Sequence, residues 1–176
     1  MTDKTITLPE GSKVTDVEVS KGDKPGTYDV KLKRSLLGKL LVLRGLPGSG
    51  KTTYAKTLIP DYIRVSRDDY RNMMWDGKFS REKEDVLVDC MLLQVRSLLG
   101  RGFNVVLDNI HLDPQHIELA KTCLVPSMEN KSEFFEIKDF TTSVEECIRR
   151  DKERGGKVGE DVIRNLAKKW DWPPCS

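Results

Sequence analysis

Gly45-Leu46-Pro47-Gly48-Ser49-Gly50-Lys51-Thr52 fits the pattern G-x-x-x-x-G-K-[ST] at every specified position. A loop that turns several backbone N–H groups onto phosphate oxygens must curve sharply, and Gly45, Gly48 and Gly50 supply conformations that other residues rarely adopt. In this pattern Lys51 reaches the β- and γ-phosphates as a point charge, and Thr52 offers its hydroxyl to Mg2+. The following helix turns the positive end of its dipole toward the anion. Upstream, Lys39 to Arg44 reads Lys-Leu-Leu-Val-Leu-Arg, an apolar run suited to a buried parallel strand. Downstream, Thr53 to Leu58 continues as a helix. The order strand, loop, helix favours a nucleotide site over a plain glycine-rich turn. It nominates Gly45, Pro47, Gly48, Ser49, Gly50, Lys51, Thr52 and Thr53 as contacts for ATP, with Mg2+ as its companion.

The rest of the chain alternates in the same way. Tyr62 to Ser66 reads as a second strand running into a helix near Arg67-Asp68-Asp69-Tyr70-Arg71. Arg81 to Arg101 is helical, with Val86, Cys90, Leu93 and Val95 to Leu99 as its expected apolar face. Asn104 to Asp108 is a short strand ending in a carboxylate, and a helix follows Pro114. Ser132 to Phe140 is a further strand, Thr142 to Lys152 a helix, Arg154 to Gly159 a glycine-rich loop and Glu160 to Trp170 a last helix. This order predicts an α/β fold, a mostly parallel doubly wound sheet with helices on both faces and ligands at the C-terminal strand ends. Residues 1–34 differ. Short alternating segments at 5–8, 14–19 and 28–32, separated by turn clusters, predict a small β appendage in which Val14–Val19 pairs with Tyr28–Lys33, a charged flexible tail being the alternative. Residues 35–176 then form the phosphate-loop domain.

Composition sets outer limits. At 33% charged and 38% hydrophobic residues the chain is neither disordered by composition nor membrane-like. Thirty Lys and Arg against 28 Asp and Glu leave a net charge of +2, so any nucleic-acid-binding surface must be local. Cys90, Cys123, Cys147 and Cys175 stand far apart, without zinc spacing, and read as small apolar packing residues. The N-terminus lacks a basic segment followed by an apolar one, and no run has membrane-spanning length. The expectation is a protein of a reducing cytoplasm, without a membrane partner.

Three places carry candidate chemistry. Asp68, just past the second strand, is placed to accept a proton from a hydroxyl attacking the γ-phosphate; Asp69 is the competing carboxylate, and both also suit a helix N-terminus. Asp108, at the end of an apolar strand, is placed near Mg2+, with a turn or cap role as the alternative. Arg149 to Lys157 combines dense positive charge with paired glycines and reads as a lid around 149–159, from which an arginine would stabilise the transferring phosphoryl group. A solvated helix C-terminus is the plainer reading of that segment. Arg71, three residues beyond Asp68, can face the same cleft and bind an acceptor phosphate, or lie in solvent. His111 and His116 are set aside as structural or solvated.

Taken together, these residues resemble the 5'-kinase domain of bacteriophage polynucleotide kinase and related phosphate-loop kinases. The resemblance covers about Leu40 to Trp170. It rests on Gly45 to Thr53, Ser66-Arg67-Asp68-Asp69-Tyr70-Arg71, Asp108-Asn109, and Arg150 to Lys157 with the trailing Asp161-Val162-Ile163-Arg164. It implies a phosphate-loop kinase fold with Asp68 as general base for a 5'-hydroxyl and Arg71 on the acceptor's 3'-phosphate. Lys51 and Arg154 would act on the transferring phosphate, Arg150 as a secondary lid contact, Thr52 on Mg2+, and Asp108 on the metal or its water. The implied substrate is a nucleic-acid 5'-hydroxyl end in a bacterial or phage-infected cell. A hydroxymethylated base, a nucleoside, a small metabolite, or a nucleotide-driven switch without an acceptor are the alternatives. The phage enzyme's phosphatase motif D-x-D-G-[TS] has no counterpart here, and residues 1–34 have none in the phage enzyme. A single-domain kinase is therefore expected, with any end-healing phosphatase supplied by another protein.

Overall fold

The computed structural model describes residues 16–21, 28–33, 38–124 and 133–173. Near the N-terminus, β1 (Asp16–Lys21) pairs antiparallel with β2 (Tyr28–Lys33), with Val17 opposite Leu32 and Val19 opposite Val30. The segment at 5–8, the turn between these strands and Cys175 lie outside the described residues.

The main sheet has four parallel strands in the order β4-β5-β3-β6: β3 (Leu40–Gly45), β4 (Tyr62–Val65), β5 (Asn104–Asp108) and β6 (Phe135–Phe140). Among the described residues four helices lie between these strands, α1 (Lys51–Thr57), α2 (Arg67–Trp75), α3 (Arg81–Gly100) and α4 (Pro114–Lys121), and α5 (Val144–Glu153) and α6 (Glu160–Trp170) follow the last of them. The run Leu-Leu-Val-Leu of β3 is apolar at every position because the strand is covered on both sides. Leu40 and Val42 join Val105 and Leu107 beneath α3 and α4. Leu41 and Leu43 join Val106 and Ala55 of α1 on the opposite face. A third cluster, built from Leu46, Leu112, Cys147, Ile148 and Ile163, ties α5 and α6 to the loop after β3. The chain is thus an α/β domain with a doubly wound parallel sheet and helices on both faces.

Helix α3 departs from the expected facing. Its buried stripe is Leu87, Met91, Val95 and Leu99, while Val86 and Leu93 are exposed. The four-residue spacing of the stripe follows the helical period, but α3 carries apolar residues all round, so composition did not set its phase. Helix α1 begins at Lys51 rather than Thr53, since Gly50 at φ 102° turns the chain directly into the helix. The C-terminal ends of β3, β4 and β5 therefore deliver the glycine loop, Arg67-Asp68 and Asp108 to one end of the sheet.

Candidate active site

The glycine loop is shaped by what packs on it. Gly48 has φ 84°, and a Cβ there would lie 2.5 Å from the Cys147 carbonyl oxygen, so only glycine lets α5 sit this close. Thr142 Oγ1 donates to the Ser49 carbonyl at 3.0 Å and secures the loop from the other side. Lys51 is buried, and its Nζ donates to the carbonyls of Gly45 (2.9 Å) and Leu46 (2.7 Å) and to Ser49 Oγ (3.3 Å), using all three ammonium protons. Burial pushes its pKa down to about 8, with the Asp108 carboxylate partly opposing the shift. Pro47, Gly48, Gly50, Thr52 and Thr53 line the cleft beside it.

Asp108, at the end of β5, is buried. Its Oδ1 accepts from Thr52 Oγ1 at 3.2 Å and its Oδ2 from Arg64 Nε at 2.7 Å. The two expected metal residues are thus in contact across 56 positions of sequence. Among the described residues no group of three or more His, Cys, Asp or Glu could hold a metal. One hydroxyl and one carboxylate do fit Mg2+, which takes few protein oxygens and completes its shell with phosphate and water. Arg64 escaped the sequence reading. It also bonds Asp69, and the only sign of it was a charge inside an otherwise apolar strand.

The adjacent carboxylates of α2 diverge, as successive helical residues must. Asp68 lines the cleft with its side chain 84% exposed, whereas Asp69 is held by Arg64. Arg71, one turn on, is not a solvated arginine. Its Nη1 donates to Asp68 Oδ1 at 2.6 Å, and its Nε and Nη2 grip Glu84 at 2.9 and 3.0 Å in a fork. Glu84, from the first turn of α3, is a second residue missed by sequence, where it stood as one more charge in a polar helix start. Arg67 lines the cleft with no salt-bridge partner among the described residues, and burial lowers the pKa of its guanidinium. His111, at φ 47°, is buried with Nδ1 3.0 Å from the Leu43 carbonyl. Burial pushes its pKa down to about 4, so the ring is neutral at physiological pH and ties the β5–α4 connection to β3. His116 also lines the cleft, with its pKa lowered by burial.

The expected lid is a helix, a turn and a second helix. Arg149 faces away, bonded to Glu146 and Glu153. Arg150 and Arg154 line the cleft, and Arg150 Nε is held by Glu146 at 2.7 Å. Within the lid the buried residue is Asp151, 1% exposed. Its Oδ1 accepts from Arg154 Nε (2.9 Å) and Nη2 (2.7 Å), and its Oδ2 from the backbone N–H of Val158 (3.2 Å) and Gly159 (2.8 Å). Burial works to raise the Asp151 pKa, but the Gly159 N–H, Arg154 and the Val158 N–H outweigh it and hold the carboxyl below the ordinary range. Asp151 went unnoticed in sequence because it looked like one charge in a charged run.

Lys51, Thr52, Arg67, Asp68, Arg71, Asp108, Arg150 and Arg154 line one cleft of about 1090 Å3, slightly above the roughly 300–1,000 Å3 usual for a single ligand. The AAA_33 family model, described as an AAA domain, matches residues 40–171. The chain belongs to the AAA_33 family. Over 148 residues this AAA domain is 26% identical to a protein of Autographa californica nuclear polyhedrosis virus named for polynucleotide kinase and RNA ligase activities, a match covering 75% of the chain and 21% of that protein. Its structure is similar to a chain of the Pnkp1/Rnl/Hen1 RNA repair complex, with a TM-score of 0.64 and 27% identity, covering 77% of this chain and 44% of that one. It therefore spans less than half the length of either relative. A gluconokinase from Sinorhizobium meliloti, 15% identical at a TM-score of 0.50 and covered over 77% of this chain and 75% of that one, shares the fold. The AAA domain has the P-loop kinase fold.

Proposed function

We propose that this AAA domain is an ATP-dependent polynucleotide kinase that moves the γ-phosphoryl group of ATP to the 5'-hydroxyl of DNA or RNA. The observation that carries this reading is the placement of Asp68 and Arg71 one helical turn apart at the end of β4, in the same cleft as Lys51 and Thr52. A switch or simple ATPase has no use for a second carboxylate–arginine pair facing its phosphates. The names of the viral relative and of the repair complex point the same way.

On this reading Asp68 takes the proton of the 5'-hydroxyl as its oxygen attacks the γ-phosphorus, while the bond from that phosphorus to the bridging oxygen of ADP breaks. Arg71, held in orientation by Glu84, receives the acceptor's 3'-phosphate, and Arg67, without a salt-bridge partner among the described residues, adds positive charge beside it. Lys51 and Arg154 stabilise the charge that gathers on the transferring group, and Arg150 assists from the lid. Thr52 and Asp108 would hold Mg2+, which when bound neutralises charge on the β- and γ-phosphates. The substrate is a nucleic-acid end, met in the cytoplasm where ATP is abundant.

The test is transfer of label from γ-labelled ATP, with Mg2+, to 5'-hydroxyl DNA and RNA, hydroxymethyluracil-containing DNA, nucleosides and small alcohols in parallel. The reading requires label at the 5' end of the polynucleotides. It also requires Asp68→Asn to lose transfer by about 10²- to 10⁴-fold while still binding ATP. Preferential labelling of a base hydroxyl, a nucleoside or a small alcohol, or ATP hydrolysis alone, would replace it.

A further inference from the structure

Phe79 lies between α2 and α3 with 71% of its surface exposed, yet it lines the cleft rather than a bare outer face. Singly exposed apolar side chains are ordinary, and Met73 and Leu93 are about as open; Phe79 differs from them in lining the cleft beside Arg71. Arg71 links it to the reacting corner. The Arg71 guanidinium carbon is 5.8 Å from the Phe79 ring centroid, and its Nη1 is 2.6 Å from Asp68 Oδ1. A carboxylate, a cation and an open aromatic ring thus meet through Arg71 in one corner of the cleft. Lys78 and Arg81 are exposed and have no salt-bridge partner among the described residues.

Building on the polynucleotide reading, we infer that Phe79 is the stacking platform for the 5'-terminal nucleobase of the acceptor. With the 5'-hydroxyl at Asp68 and the following phosphate at Arg71, the base of that nucleotide lies against the Phe79 ring. Stacking on an aromatic side chain accepts any base, because every base offers a π-face. This contact would favour nucleobase-bearing ends over bare sugars or small alcohols, with little preference for base identity.

The test is steady-state phosphorylation of single-stranded 5'-hydroxyl oligonucleotides by the wild type, Phe79→Ala, Phe79→Leu and Phe79→Trp. Each acceptor is used with its terminal base present and with that base removed. Phe79→Ala should raise the acceptor KM about 5- to 150-fold, the range expected for losing one base stack. The ATP KM and kcat should stay within about twofold. Phe79→Leu, which keeps apolar bulk, should lie between, and Phe79→Trp should equal or better the wild type. Removing the terminal base should weaken the wild type by a similar factor and leave Phe79→Ala unaffected. Quenching of a terminal 2-aminopurine on binding without ATP gives a second readout, expected in the wild type and lost in Phe79→Ala. A Phe79→Ala KM within twofold of the wild type, or an unchanged response to base removal, would overturn the inference while leaving the kinase reading intact. A wild type that labels no polynucleotide end overturns both.

Discussion

Asp151→Ala should unclasp the lid. In the folded chain one buried carboxylate collects four donors, two from Arg154 and the backbone N–H groups of Val158 and Gly159. The Arg154 side chain is 45% exposed, so its pairing with Asp151 contributes little once solvent screening is counted. The two backbone bonds to a charged acceptor are different, at roughly 1.5 kcal/mol each by the lower end of the usual range. Removing the carboxylate therefore costs about 3 kcal/mol, which for a chain of this length lowers Tm by about 6–12 °C. The loss is felt globally because α5 and α6 share the cluster of Leu46, Leu112, Ile148 and Ile163. Asp151→Asn keeps the volume but sets an NH2 group against one pair of donors, so it rescues part of the loss at most. Because the folded pKa of Asp151 is depressed, its contribution is fully present above the unfolded value of about 3.9 and is lost as pH falls through the folded one. The gap between wild type and Asp151→Ala should accordingly narrow in acid. Freed from its anchor, Arg154 should also stabilise the transferring phosphate less well, with kcat falling at least about tenfold, less than the 10²–10³ for outright loss of such a donor. Thermal unfolding followed by circular dichroism, alongside kcat, is the assay. A Tm within 2 °C of wild type together with kcat within about twofold would refute the reasoning.

Other predictions follow from the same geometry. Glu84→Gln should loosen the fork on Arg71 and raise the acceptor KM several-fold with the ATP KM unchanged, as separate titrations of each substrate would show. Among the described residues Arg64→Ala leaves the Asp108 carboxylate with Thr52 as its one hydrogen-bond partner, so the Mg2+ concentration for half-maximal activity should move by at least about threefold, with ATP titrated separately to isolate the metal effect. Lys51 has its pKa lowered to about 8 in the ligand-free chain, so nucleotide binding above that pH must take up a proton. ATP affinity should fall by up to about tenfold per pH unit above 8, and calorimetry in buffers of different ionisation enthalpy should detect the uptake. By the same sign, the ligand-free chain should gain stability as pH rises from about 8 toward the unfolded lysine value of about 10.4.

The parts of this molecule that could be read from sequence are those whose physics is local. The glycine loop is a backbone shape encoded in eight adjacent residues, Asp108 stands at the end of an apolar strand and Asp68 just past one. The order of those strands and helices was enough to infer a parallel, doubly wound sheet. What escaped were contacts made across the chain. Arg64 meets Asp108 from 44 residues away, and Glu84 meets Arg71 from 13. Neither pairing has a spacing that marks it. Asp151 is close to its partners in sequence, but only burial distinguishes it from the charges around it. The facing of α3 was misread for a related reason, since Val86 and Leu93 are as apolar as Leu87 and Val95 and tertiary packing alone decides which are covered.

The central claim, that the cleft joins ATP to a nucleic-acid end, is tested most directly by locating the transferred phosphate. A 5'-hydroxyl oligonucleotide incubated with the wild-type chain, Mg2+ and γ-labelled ATP is digested completely to nucleoside 5'-monophosphates. The account predicts that the label resides in the terminal nucleotide alone and is absent from a parallel reaction with Asp68→Asn. Label in internal nucleotides, on a small-molecule acceptor only, or only in free phosphate would contradict it.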